Sequence, residues 1–183
     1  MKINTKLGLL DAANQITSAN CDSRPDDRPV SLIVIHNISL PPGEFGGPYI
    51  TQLFTNQLNQ DEHPYFADIH HLKVSSHLLI RRNGEIIQYV PFNQRAWHAG
   101  ESEYCGEQRC NDFSIGIELE GDDETPFESV QYTMLADVIL ELQRSYPDIT
   151  KNAITGHSDI APGRKTDPGP AFSWKQLNRL LNT

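Results

Sequence analysis

A chain of 183 residues buries one core of ordinary size and is short for two, and its 38% hydrophobic and 21% charged content excludes a disordered or fibrous protein. With 24 acidic against 15 basic residues the formal charge is −9, which argues against a broad electrostatic footprint for nucleic acid or an anionic membrane. One domain over residues 1–183 is expected, with no nucleic acid or membrane partner and nothing that calls for an obligate protein partner.

The amino end, MKINTKLGLLDAANQITSANCDSRPDD, has only Leu7-Gly8-Leu9-Leu10 as an apolar patch, too short for the apolar region of a signal peptide. No later run approaches the roughly 18 to 20 apolar residues that span a bilayer. Cys21, Cys105 and Cys110 are odd in number and suggest free thiols. A cytoplasmic location is expected. Residues 30–36, VSLIVIH, read as a strand buried on both faces that ends at His36-Asn37. The Pro- and Gly-rich SLPPGEFGGP is a loop, after which Pro48 opens a short helix bearing Ile50, Leu53, Phe54 and Leu58. Residues 59–73 read as irregular surface loop. VSSHLLIRR, Asn83-Gly84 and EIIQYV make a β-hairpin, because Asn-Gly suits the tight turn between two strands.

Residues 92–112 lack periodicity and read as a long loop of the kind that often carries function. FSIGIELE at 113–120 alternates, with Phe113, Ile115, Ile117 and Leu119 on one face and Ser114, Gly116, Glu118 and Glu120 on the other. Thr125, Pro126 and Glu128 read as the capped start of a helix that carries Val130, Met134, Leu135, Val138 and Leu142 to about Tyr146. A short strand near Ile154 precedes the loop GHSDIAPGRKTDPGP, and Ser173 caps a last amphipathic helix with Trp174, Leu177 and Leu181 inward. Interleaved strands and helices with one antiparallel hairpin give an α/β class: a mixed central β-sheet flanked by helices.

His36 stands where a buried strand gives way to a loop, the usual place for ligand sites in open α/β sheets. With His157 and Asp167 on a proline-braced loop it forms a three-donor set with a fourth position open, the pattern of a catalytic zinc site. By residue type His63, His70, His71, His77 and His98 are rival donors, and spacing alone does not choose among them.

The blocks VIHNISLPPGEFGGPYI, HPYF, VSSHLLIRRNGEIIQYVPF, RAWHAG, RCNDFSIGIELEG and TGHSDIAPGRKTDPGP, in that order, closely resemble the cytosolic 1,6-anhydro-N-acetylmuramyl-L-alanine amidases of Gram-negative bacteria. More distantly they look like the phage lysozyme amidases and the peptidoglycan recognition proteins, which share a zinc-amidase fold. The resemblance runs from about Asp22 to about Trp174. It implies one catalytic zinc ion on His36, His157 and Asp167, with Glu118 as the catalytic acidic residue and Lys165 as the catalytic lysine. The implied substrate is a small muropeptide, 1,6-anhydro-N-acetylmuramic acid bearing a short peptide, cut between its lactyl group and L-alanine in peptidoglycan recycling. Substrate contacts are implied at Asn37, Lys73 and Arg109, with Trp97 and His98 lining the sugar or peptide cleft.

The residues themselves leave alternatives. Glu118 shares its strand face with small Ser114 and Gly116, which leave room above the sheet for a general base. Glu120 lies about 7 Å further along the same face and is a rival base. Trp97 is equally a loop anchor in the core, and His77 either supports a ligand from behind or is structural. Two other functions stand beside the amidase: a muropeptide-binding module without catalysis, and a metal-free glycosidase using Glu118 and Glu120 as its carboxylate pair.

Overall fold

The computed structural model describes residues 1–26 and 28–182. At the amino end, where the sequence shows no periodicity, four short strands form: Ile3–Asn4 (β1), Leu9–Leu10 (β2), Asn14–Gln15 (β3) and Cys21–Ser23 (β4). The apolar run becomes Leu32–Ile38 (β5), of the expected length but shifted two residues toward the carboxyl end because pairing with its neighbour continues past His36. Tyr49–Phe54 (α1) follows Pro48 as expected but ends before Leu58, at the left-handed Asn56, and the 59–73 segment holds a further turn of helix, Phe66–Ile69 (α2).

The hairpin forms as Leu78–Ile80 (β6) and Ile86–Gln88 (β7), with Leu79 opposite Ile87. Gly84 takes φ +86°, the left-handed conformation its turn requires. The long 92–112 segment is not structureless. It contains Gln94–Ala96 (β8), paired antiparallel with β4, the small hairpin Glu103–Tyr104 (β9) and Glu107–Gln108 (β10), and one 3₁₀ turn at Cys110–Asp112.

Ser114–Glu120 (β11) is followed by Ser129–Ser145 (α3), then Ile154–Gly156 (β12), His157–Ile160 (α4) and Trp174–Leu181 (α5). The expected cap at Thr125 is displaced. Thr125 instead bonds Asp122 through its backbone N–H and its hydroxyl, and α3 begins beyond Glu128, whose N–H donates to Gln131 Oε1 at 3.0 Å. Ser173 does cap α5, accepting from the Gln176 N–H at 3.2 Å.

The main sheet runs β12-β5-β11-β6-β7-β3, with the β6/β7 pair antiparallel and the other neighbours parallel. One face presents Ile33, Ile35, Ile115, Ile117 and Leu119, all buried against Leu135, Val138, Ile139 and Leu142 of α3 and Leu177 of α5. Each such side chain contributes about 1.5–3 kcal/mol by leaving water. The opposite face lies under α1, α2, α4 and the 92–112 segment. β11 is therefore central and buried along its whole length, including the residues expected to face open space.

Candidate metal centre

Parallel pairing of β5 with β11 sets Glu118 directly beside His36, and Cβ alternation sends both side chains to the same face. His157 reaches that face as the first residue of α4, just after β12, which flanks β5 on its other side. Asp159, unassigned in the sequence, holds this strand-to-helix step: its Oδ2 accepts from the Gly156 N–H at 2.9 Å and from the Thr155 hydroxyl at 3.1 Å. Asp167 is returned to His157 by its own backbone, whose carbonyl accepts from the Ser158 N–H at 2.9 Å.

Three donor atoms converge. His36 Nδ1, His157 Nδ1 and Asp167 Oδ2 lie 2.9 to 3.0 Å from one another. Among the described residues they form a group of the size and type that holds a metal ion. Their protonation supports this. His157 Nε2 sits 3.1 Å from the Ala99 carbonyl, which only accepts, so Nε2 carries a ring hydrogen and Nδ1 is the nitrogen left to ligate. His157 Nδ1 faces an Asp167 carboxylate oxygen at 3.0 Å, and both atoms are of the type that binds zinc. Burial foremost pushes the His36 imidazole down to about 4, so it is neutral and able to ligate.

Glu118 is 8% exposed, and its Oε2 is buried without a hydrogen-bond partner. Burial raises its carboxyl well above the ordinary range, the Asp167 charge adds to this, and Lys165 offsets part of it. Glu120, the rival base, is occupied elsewhere. It accepts from the Gly46 N–H at 2.7 Å, from Arg81 at 3.1 Å and from the Arg82 N–H at 3.2 Å, and so ties the 41–48 loop to the hairpin. No carboxylate pair of the kind a glycosidase uses is formed by these two residues.

A family model for N-acetylmuramoyl-L-alanine amidases matches residues 26–170. The chain belongs to this amidase family. It is 59% identical over 175 residues to the 1,6-anhydro-N-acetylmuramyl-L-alanine amidase AmpD of Escherichia coli, covering 96% of this chain and 95% of that one. A crystal structure of a selenomethionine AmpD derivative superposes with a TM-score of 0.95 at 56% identity, covering 99% of each chain. The amidase AmiD of E. coli, solved in complex with the substrate anhydro-N-acetylmuramic acid-L-Ala-D-γ-Glu-L-Lys, superposes at 0.61 with 32% identity, covering 85% of this chain and 59% of that one.

In this amidase a cleft of about 360 Å³ opens over the three donors, and Glu118, Lys165, Asn37, Trp97 and His98 all line it. Leu40, Leu53, Phe54, Ile69 and Leu72 give it an apolar wall. Asn37 donates to Asp123 Oδ1 at 2.7 Å, and the half-buried Trp97 lines the cleft and is not anchored in the core, its Nε1 donating to Asp22 at 3.3 Å in an exposed contact. Lys73 and Arg109 are exposed and outside the cleft lining. Arg109, 73% exposed, pairs with Asp112 at 3.3 Å beside a separate surface hollow.

His77 touches no ligand. Its Nδ1 accepts from the Gly116 N–H, and its Nε2 meets the Gln94 carbonyl and Arg24. The residue behind a ligand is His98, whose Nδ1 lies 2.9 Å from His36 Nε2. The sequence signal for it was the RAWHAG block, but nothing in that block tells a cleft wall from a ligand's support.

Proposed function

We propose that this chain hydrolyses the amide bond between the lactyl group of 1,6-anhydro-N-acetylmuramic acid and L-alanine in small muropeptides, as a zinc-dependent step of peptidoglycan recycling. The observation that carries the reading is the convergence of His36, His157 and Asp167 beside an unpartnered buried carboxylate, Glu118. The 59% identity to the E. coli AmpD amidase over almost the whole of both chains supports the substrate, as does the anhydromuropeptide held by the related AmiD. We assign residues 1–183 to one amidase domain, acting on a small-molecule substrate.

His36, His157 and Asp167 would hold the zinc ion. In such a three-donor site zinc acts as a Lewis acid and brings the pKa of water from 15.7 to about 7. Glu118 takes the proton of the attacking water as the new C–O bond forms. It then delivers that proton to the amine of L-alanine as the C–N bond breaks. The Lys165 ammonium, at the cleft wall, stabilises the negative charge that develops on the lactyl carbonyl oxygen. Asn37 and Trp97 position the substrate in the cleft, and Lys73 and Arg109 supply cations for the peptide carboxylates from outside it.

Three unpaired thiols fit a reducing compartment, and we place the activity in the cytoplasm. No helix of the described residues is long and apolar enough to cross a membrane. The test is mass spectrometry of products from a defined anhydromuropeptide. Free peptide beginning with L-alanine is expected, lost on treatment with a strong chelator and restored by zinc. Full zinc occupancy without peptide release would leave a binding module, and sugar-sugar cleavage that survives chelation would mean a glycosidase.

A further inference from the structure

The two histidines of the proposed metal set are met from behind by consecutive residues of one turn. His36 directs Nε2 to His98 Nδ1 at 2.9 Å, and His157 directs Nε2 to the Ala99 carbonyl at 3.1 Å. That turn is itself fixed. Asn111 Oδ1 accepts from the N–H groups of both His98, at 3.1 Å, and Ala99, at 2.8 Å, while Arg164 donates to the Ala99 carbonyl at 2.6 Å. The His98 ring lies against the bare backbone of β11: a Cβ on Gly116 would come within 2.5 Å of its Cγ and 2.6 Å of its Nδ1. Its Nε2 reaches Ser114 Oγ, on the same strand, at 3.2 Å.

We propose that the 97–99 turn is a clamp that sets the tautomer and aim of both histidine ligands, and that His98 is a positioning residue for the amidase reaction, acting through His36. The inference rests on the reading of His36, His157 and Asp167 as metal ligands. A neutral imidazole that coordinates through Nδ1 carries its hydrogen on Nε2, and a buried N–H requires an acceptor. His98 supplies one at Nδ1 only when its own hydrogen is on Nε2, and Ser114 Oγ stands where that hydrogen points. The chain from Ser114 through His98 to His36 thus leaves His36 Nδ1 with its lone pair toward Asp167 and His157. The Ala99 carbonyl does the same for His157 with no side chain involved. Gly116 is explained by the same arrangement. A glycine inside a strand weakens it, and here it admits a ring that any side chain would displace.

The experiment measures zinc affinity of the metal-free protein by competition with a chromophoric chelator, together with the visible absorption of the cobalt-substituted form. His98→Leu keeps bulk but removes the acceptor. Gly116→Ala displaces the ring without removing a hydrogen-bonding group, and His98→Asn retains an oxygen acceptor near the Nδ1 position. His98→Leu and Gly116→Ala are expected to weaken zinc binding about 10–100-fold, the usual loss when a ligand's outer partner is removed. Their cobalt spectra change as well, whereas His98→Asn stays close to the wild type in both readouts. Circular dichroism of the metal-free variants checks folding, and if one variant does not fold the other decides. Wild-type affinity in either folded variant overturns the proposal, as does an equal loss in His98→Asn and His98→Leu. A wild-type protein that takes up no zinc overturns the ligand reading and this inference with it. Intact wild-type binding with unchanged variants overturns this inference alone.

Discussion

Glu118 and Glu120 share a strand, a face and a charge, yet the fold gives them opposite fates. Glu120 has three donors and ties a loop down, while Glu118 keeps one oxygen unpartnered beside the metal donors. Glu118→Gln is therefore expected to leave zinc content intact and lower kcat by about 10²–10⁴-fold, the usual worth of a general base. Metal analysis alongside steady-state rates checks it, and near-wild-type turnover would remove Glu118 from the role. Asp167→Ala is expected to lose zinc and activity together, since it removes the one anionic donor of the set. A variant that keeps full zinc at micromolar metal would refute that ligand assignment. At this scale the sequence supplied residue types and their order, and the family resemblance supplied roles. It could not supply partners: nothing in SIGIELE distinguishes a buried base from a buried loop anchor two residues on.

Among the elements, those governed by local rules were legible. Asn83-Gly84 made its turn, Pro48 preceded α1, Ser173 capped α5, and the alternation over 114–120 separated the two faces of β11, whereas Phe113 precedes the strand and packs with Val34 and Cys110 on the other side. The start of α3 was misplaced by local reasoning because its cap is decided by tertiary contacts. Gln131 takes the Glu128 N–H and at the same time donates to the carbonyls of Ile80 and Glu120, at the ends of β6 and β11. Thr125 makes its turn with Asp122 instead. Gln131→Ala would take the side-chain partner from two buried carbonyls and from the part-buried Glu128 N–H, and a loss of about 2–3 kcal/mol is expected. At about 2–4 °C per kcal/mol for a chain of this size, thermal unfolding resolves it. A melting temperature unchanged by the substitution would show that Thr125 and Asp122 suffice to start the helix.

For the whole molecule, one sheet face is packed under α3 and α5 and the other carries the site beneath irregular segments, so buried polar groups gather on the second face. His77 is one of them. Burial first, then the neighbouring Arg24 charge, holds its imidazole well below the ordinary value, so the folded state refuses a proton that the unfolded state binds near pH 6.5. Stability is thus unaffected by this group above about pH 6.5 and falls as pH drops below it, with a slope approaching 1.4 kcal/mol per pH unit. Denaturant midpoints of the metal-free protein between pH 5 and 8 are expected to show this fall, and His77→Gln to lessen it. Equal slopes in both proteins would mean that His77 protonates freely in the folded state.

The sequence by itself determined the α/β class, the main strands and helices and the chemical types available for a metal and a base, because hydrophobic periodicity, turn residues and caps act over a few positions. Only the tertiary structure decided which of seven histidines converge. His36, Glu118 and His157 come from three parallel neighbours, β5, β11 and the end of β12, and their meeting is set by register across the sheet. His98 enters the site because Gly116 leaves it room. That is a property of two strands and a loop in contact, which no local pattern encodes.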